Sequence, residues 1–214
     1  MIQKHVEIIK ELGFIPKTVL EIGSRDGDDA NYYKEQFNLL GTNVHIVEPN
    51  PIMFDEISKK YPNTVRWQYA IDLENGIKEF NQVIENNMVK IGVSSLLDRV
   101  DDFYDKYETR KILVTTRTGY EILKCIGEDI DICKIDVEGM SYQVLISMGD
   151  LISKIKTLHI EAELREFWKD QKLYPDVHDY LIENGFELVW SQKMFYDAQI
   201  DTIWINKNLK TLVD

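Results

Sequence analysis

The sequence predicts a doubly wound α/β fold, with a mainly parallel sheet of seven strands, helices on both faces and a late antiparallel hairpin. Three observations carry this. Short runs rich in β-branched residues alternate with segments of helical period, the pattern of a parallel sheet covered on both sides. The last two strand-like runs, 186–191 and 201–206, are separated by too little chain for a helical crossover and must pair as a hairpin. Over 214 residues no repeat, low-complexity tract or Pro/Gly/Ser linker interrupts the pattern, so one domain over 1–214 is expected.

The elements follow in order. Ile2, Val6, Ile9 and Leu12 share one face of an N-terminal helix within 1–13, which Gly13 ends. TVLEI at 18–22 reads as a buried strand, and a helix over 28–39 opens on Asp28 and Asp29, acids suited to a helix N-terminus. VHIV at 44–47 is the second strand, stopped by Pro49 and Pro51, and a short helix over 52–60 leads to a third strand over 65–71. A short strand near 77–80 and a charged stretch over 98–111 follow. KILVTTRT at 111–118 reads as an extra strand. A helix at 119–126, a buried strand at 131–137, a helix at 141–149, a strand at 157–163 and a helix at 175–184 with Pro175 in its first turn complete the alternation.

Composition narrows the function. Hydrophobic residues at 44% and charged residues at 29% are a soluble globular balance. A net charge of −12 repels phosphate backbones and anionic bilayers, so neither nucleic acid nor membrane is expected as partner. No run is long and apolar enough for a signal h-region or a membrane span. Cys125 and Cys133 are too few for a disulfide framework or zinc cluster, which fits a reducing cytoplasm.

Two loops carry the chemistry. In VLEIGSRDGDD, Glu21 ends a strand, and Gly23, Ser24 and Gly27 form the turn into a helix. Glu21, Asp26, Asp28 and Asp29 make this turn hostile to a pyrophosphate and suited to a cationic ligand. Glu48 ends the second strand 25 residues after Gly23, near the spacing of a ribose-binding acid, with Pro49 beside it. Ala70 and Ile71 are candidates to sandwich an adenine, and Asp72 to accept from its amino group. In the second loop, Asp136 and Glu138 flank Val137 before Gly139. Ligands of open α/β sheets bind outside such carboxyl ends, and two buried acids at i, i+2 are costly unless bonded or protonated.

The pieces VLEIGSRDG, VEP, Ser94-Ser95-Leu96, KIDVEG and HIEAE occur in order over roughly 140 residues. In these the chain resembles the FkbM family of methyltransferases. The resemblance implies a class I, Rossmann-like fold, to which the late antiparallel strand also belongs. It implies S-adenosylmethionine as donor and O-methylation of a sugar or natural-product hydroxyl. It puts Gly23, Ser24 and Gly27 at the amino-acid end of the donor, Glu48 at its ribose, and Asp136 near the transferred methyl. The loop departs from the family's smaller GANIG type. Arg25 and Asp26 are candidates to pair with each other, or to change how the donor carboxylate is held.

For a hydroxyl acceptor the protein must align the reactants and take a proton. The candidate bases are Asp136, Glu138, His159, Glu161 and Glu163, the last three alternating onto one face of their strand. Asp136 with Glu161 or Glu163 also makes a partial oxygen set for a divalent cation, but the sequence shows no third ligand, so a metal-free general base is favoured. Segments 75–110 and 164–175, with Phe167, Trp168 and Tyr174, are candidates to cover the acceptor, and Trp190, Phe195 and Tyr196 cluster nearby in sequence. A nicotinamide-dependent oxidoreductase and a non-catalytic binding module of the same fold remain the rival readings.

Overall fold

The computed structural model describes residues 1–85, 88–89, 92–100 and 108–210. Part of the charged stretch expected over 98–111 therefore lies outside the described residues.

Helix α1 (Ile2–Glu11) precedes β1 (Val19–Ile22), α2 (Asp28–Gln36), β2 (Val44–Val47), α3 (Pro51–Lys60) and β3 (Val65–Trp67). The chain then builds β4 (Ala70–Ile71), β5 (Gly76–Glu85), β6 (Met88–Val89) and β7 (Glu108–Arg117). It returns through α4 (Gly119–Ile126), β8 (Ile130–Ile135), α5 (Ser141–Ser147), β9 (Ile155–Glu163), α6 (Tyr174–Glu183), β10 (Phe186–Met194) and β11 (Gln199–Asn206). Local sequence explains several boundaries. Asn50 caps α3 by accepting from the amide of Ile52, with Pro51 opening the helix, and Thr118 caps α4 by accepting from the amide of Glu121.

The main sheet has seven strands in the order β10-β11-β9-β8-β1-β2-β3. β3, β2, β1, β8 and β9 pair in parallel, and β11 runs antiparallel to both neighbours. The central strands β1, β2 and β8 are buried on both faces. Val19, Val44, Ile46 and Ile132 pack with Val6 and Ile9 of α1 and with Ala30 and Tyr33 of α2. Leu20, Ile22, Val47, Cys133 and Ile135 pack on the other side with α4, α5 and α6. Among the described residues no helix is long and apolar enough to cross a membrane.

The structure revises four expectations. The strand over 65–71 is broken: Val65–Trp67 stays in the main sheet, while Ala70–Ile71 pairs with β7 in a second sheet, ordered β4-β7-β5-β6. The short strand near 77–80 extends over Gly76–Glu85, because its partner β7 offers a ten-residue antiparallel edge. The helix over 28–39 ends at Gln36, since Asn38 adopts a left-handed conformation. The strand over 131–137 stops at Ile135, and Glu138 and Gly139 turn back with φ of 48° and 86°.

Strand order reverses between β1 and β8, where a doubly wound sheet opens its ligand crevice. The chain leaving β1 stays bonded to both neighbours there. The amide of Gly23 donates to Val47 O at 3.0 Å, and the amide of Asp136 donates to Ile22 O at 3.0 Å. Gly23 has φ of 80°, and a Cβ on it would stand 1.9 Å from the Asp136 carbonyl oxygen. Both conformation and space demand glycine. Gly23→Ala is expected to destabilise the fold by about 3–5 kcal/mol in denaturant unfolding. A variant within about 1 kcal/mol of the parent would show that the two loops separate freely.

Candidate active site

A cavity of about 550 Å³ opens at this switch point. One wall is the loop after β1, with Gly23, Ser24, Arg25, Asp26 and Asp29. The loop is held from beneath by Glu21, which is 1% exposed. One of its oxygens accepts from the Ser24 hydroxyl at 2.6 Å and from the amide of Ala30 at 3.2 Å. Burial, with Asp29 nearby, pushes this carboxyl up to about 8. Glu21 itself does not reach the cavity, and neither does Gly27, which opens α2 in a left-handed conformation against the Tyr61 ring. Their part is to shape the turn. Arg25 and Asp26 do pair, at 2.9 Å.

Glu48, Pro49, Asn50, Ala70 and Ile71 form the next wall. Two backbone amides orient the Glu48 carboxylate: Arg25 N donates at 3.0 Å and Asn50 N at 2.7 Å, one to each oxygen. Burial nevertheless pushes Glu48 up to about 7. Asp72 takes no part. It pairs with Lys78, accepts from the amide of Leu73, and stands outside the cavity.

Acids form the far wall. Carboxylate oxygens of Asp136, Glu138 and Glu161 lie within 4.8 Å of one another, and all three residues border the cavity. The reversal at Glu138 and Gly139, not an extended strand, brings the first two together. Ser95 holds that turn by donating to Glu138 O at 2.7 Å. Gln199 donates to Glu161 Oε1 at 2.8 Å. Burial and the neighbouring acids push Glu138 well above the usual carboxylate range and Glu161 to about 9. Asp136 differs. Burial opposes its charge, but the ammonium of Lys134, 2.9 Å away, together with His159 and Arg25, holds the carboxyl below its ordinary value. Glu163 is buried and pushed up to about 7, but it stays outside the cavity.

Lys134 and Asp201 carry no role in the sequence reading, yet both border the cavity. The Lys134 side chain is 9% exposed and also reaches Asp29 at 3.1 Å and Glu21 at 3.7 Å. The signal was present: a lysine inside the apolar strand IDICKI must meet acids to be buried. His159 is 3% exposed, borders the cavity and donates through Nε2 to Asp201 Oδ1 at 3.1 Å. Of the late aromatics, Phe195 alone borders the cavity. Trp168 is 1% exposed and serves as a prop, its ring 2.5 Å from where a Cβ on Gly139 would stand. From 75–110, Phe80 and residues 92–96 line the cavity.

Lys134→Met removes the cation that these acids share. Breaking a buried pair on one side costs about 3–5 kcal/mol. Urea unfolding at pH 7 is expected to show that loss, and a change below about 1 kcal/mol would show that the acids do not depend on Lys134.

The Methyltransferase FkbM domain family matches residues 21–188. A comparison with curated proteins finds no match. Among solved structures, the methyltransferase FkbM from Methylobacillus flagellatus KT aligns with TM-score 0.57 at 13% identity, over 89% of this chain and 43% of that one. Magnesium protoporphyrin IX methyltransferase from Synechocystis PCC 6803, with bound SAM, aligns with TM-score 0.52 at 12% identity, over 96% and 79%. Aeropyrum pernix fibrillarin in complex with S-adenosyl-L-methionine aligns with TM-score 0.52 at 10% identity, over 95% and 74%. At such identities the likeness is one of fold. With the family match covering most of its length, the chain belongs to the FkbM family of S-adenosylmethionine-dependent methyltransferases.

Proposed function

We propose that the protein methylates a hydroxyl of a small acceptor, a sugar or small natural product, in the cytoplasm. The observation that carries this reading is the continuity of one cavity, from the glycine loop and Glu48 at one end to Asp136, Glu138, Glu161 and His159 at the other. A net charge of −12 opposes a nucleic-acid acceptor.

The residues present fit the donor. Each Glu48 oxygen accepts one backbone amide, which leaves a lone pair on each for the two ribose hydroxyls. Ala70, Ile71 and Pro49 offer an apolar slot for the base. Asp26 and Asp29 suit the donor's ammonium and sulfonium charges. When bound, S-adenosylmethionine supplies an electrophilic methyl on an activated leaving group. Gly23, Ser24 and Asp26 hold its amino-acid end, over the turn shaped by Glu21 and Gly27. Asp136 closes the donor site and opens the acceptor site. Asp136, ionised beside Lys134, takes the proton of the acceptor hydroxyl, Glu138 and Glu161 orient the acceptor, and His159, steadied by Asp201, stands behind them.

Four measurements test the reading. In calorimetry with S-adenosylhomocysteine, Glu48→Ala is expected to lose about 1.5–3 kcal/mol, roughly ten- to hundredfold in affinity. The ribose hydroxyls bind the ionised carboxylate, so affinity should climb as pH rises toward 7 and level off above it, and Glu48→Gln should flatten that climb. Asp136→Asn should lower turnover far more than donor affinity. With methyl-labelled donor and a panel of sugars, phenols and amines, label is expected in an ether methyl. Label only on nitrogen would overturn the hydroxyl acceptor.

A further inference from the structure

We propose that Asp136, Glu138 and Glu161 form a site for one hard divalent cation, of the magnesium and manganese class, at the acceptor end of the cavity. The proposal rests on the reading that this wall receives the acceptor.

The donor set is all oxygen, with neither thiolate nor imidazole in the triad, which selects a hard cation. Oxygens sharing a magnesium ion at about 2.1 Å lie about 3 Å apart when adjacent and about 4.2 Å apart when opposite. Carboxylate oxygens already within 4.8 Å of one another need only small side-chain rotations to meet that geometry.

Nearby cations do not discharge the cluster. Lys134 is shared among Asp136, Asp29 and Glu21. Arg99 acts on Glu138, and Gln199 gives Glu161 a neutral donor.

A second observation points the same way. Asp201 is 2% exposed, pairs directly opposite Glu161 across β9 and β11, and borders the same cavity. Its Oδ1 accepts from His159, but Oδ2 meets no donor among the described residues. A buried carboxylate oxygen left without a donor is costly. A hydrated cation beside Glu161 would provide donors through its water. Three protein oxygens leave three of about six octahedral positions for water and acceptor. The acceptor class that fits is one with two adjacent oxygens, such as a vicinal diol or a hydroxy-carbonyl compound.

The test is a manganese titration of the full chain followed by electron paramagnetic resonance, with and without S-adenosylhomocysteine. One Mn²⁺ per chain, displaced by Mg²⁺, is expected. Glu138→Gln and Glu161→Gln should each weaken it at least tenfold. Both variants should melt no lower than the parent, because the neutral amide replaces an acid that its surroundings already hold protonated, and Glu138→Gln should bind S-adenosylhomocysteine as the parent does. Asp150→Asn, an exposed acid elsewhere, should leave Mn²⁺ affinity unchanged. Absence of saturable binding at millimolar Mn²⁺, or binding indifferent to both glutamine variants, would overturn the site. Failure of S-adenosylhomocysteine to bind would strike the donor reading instead, since the titration without it still reads the cation.

Discussion

A single buried ammonium organises this end of the sheet. Lys134 lies in register with Glu21 of β1 on one side and His159 of β9 on the other, so a polar row crosses three adjacent buried strands. Glu21 reaches back to Ser24 and to the amide of Ala30, and therefore sets the turn and the start of α2. On the other side Lys134 ionises Asp136, which borders the cavity. The charges cannot be removed one at a time, because burial makes each depend on its partner.

The second sheet supplies part of the cavity wall. β4 leaves the main sheet after Trp67 to pair with β7, which carries Ala70 and Ile71 to the cavity wall. The same unit presents Phe80, and residues 92–96 follow it across the opening. Ser95 then bonds the Glu138 turn, so the cover and the acid wall are mechanically joined.

The fold is shared with a magnesium protoporphyrin IX methyltransferase and with fibrillarin. Chemistry on such a scaffold is set by side chains and loops rather than by the sheet. Here the cavity presents the acids that follow β8 and lie on β9, together with Phe80 and residues 92–96.

Strand and helix alternation, the late hairpin and the two glycine turns were legible in the chain, because each depends on local period or on a conformation that glycine alone adopts freely. The place of Glu48 beside the crevice was legible from its position at the end of the second strand. Other features depended on packing between distant segments. Asp72, a candidate for the adenine amino group, pairs with Lys78 outside the cavity lining, and Trp168, in a segment expected to cover the acceptor, packs against Gly139. Asp136 and Glu138 were paired in the sequence, but Glu161, from the neighbouring strand, completes the triad only through the β8–β9 register and the reversal at Glu138. Burial, and with it the displaced ionisation of these acids, is a property of the assembled layers, because a carboxylate's charge state answers to everything packed around it.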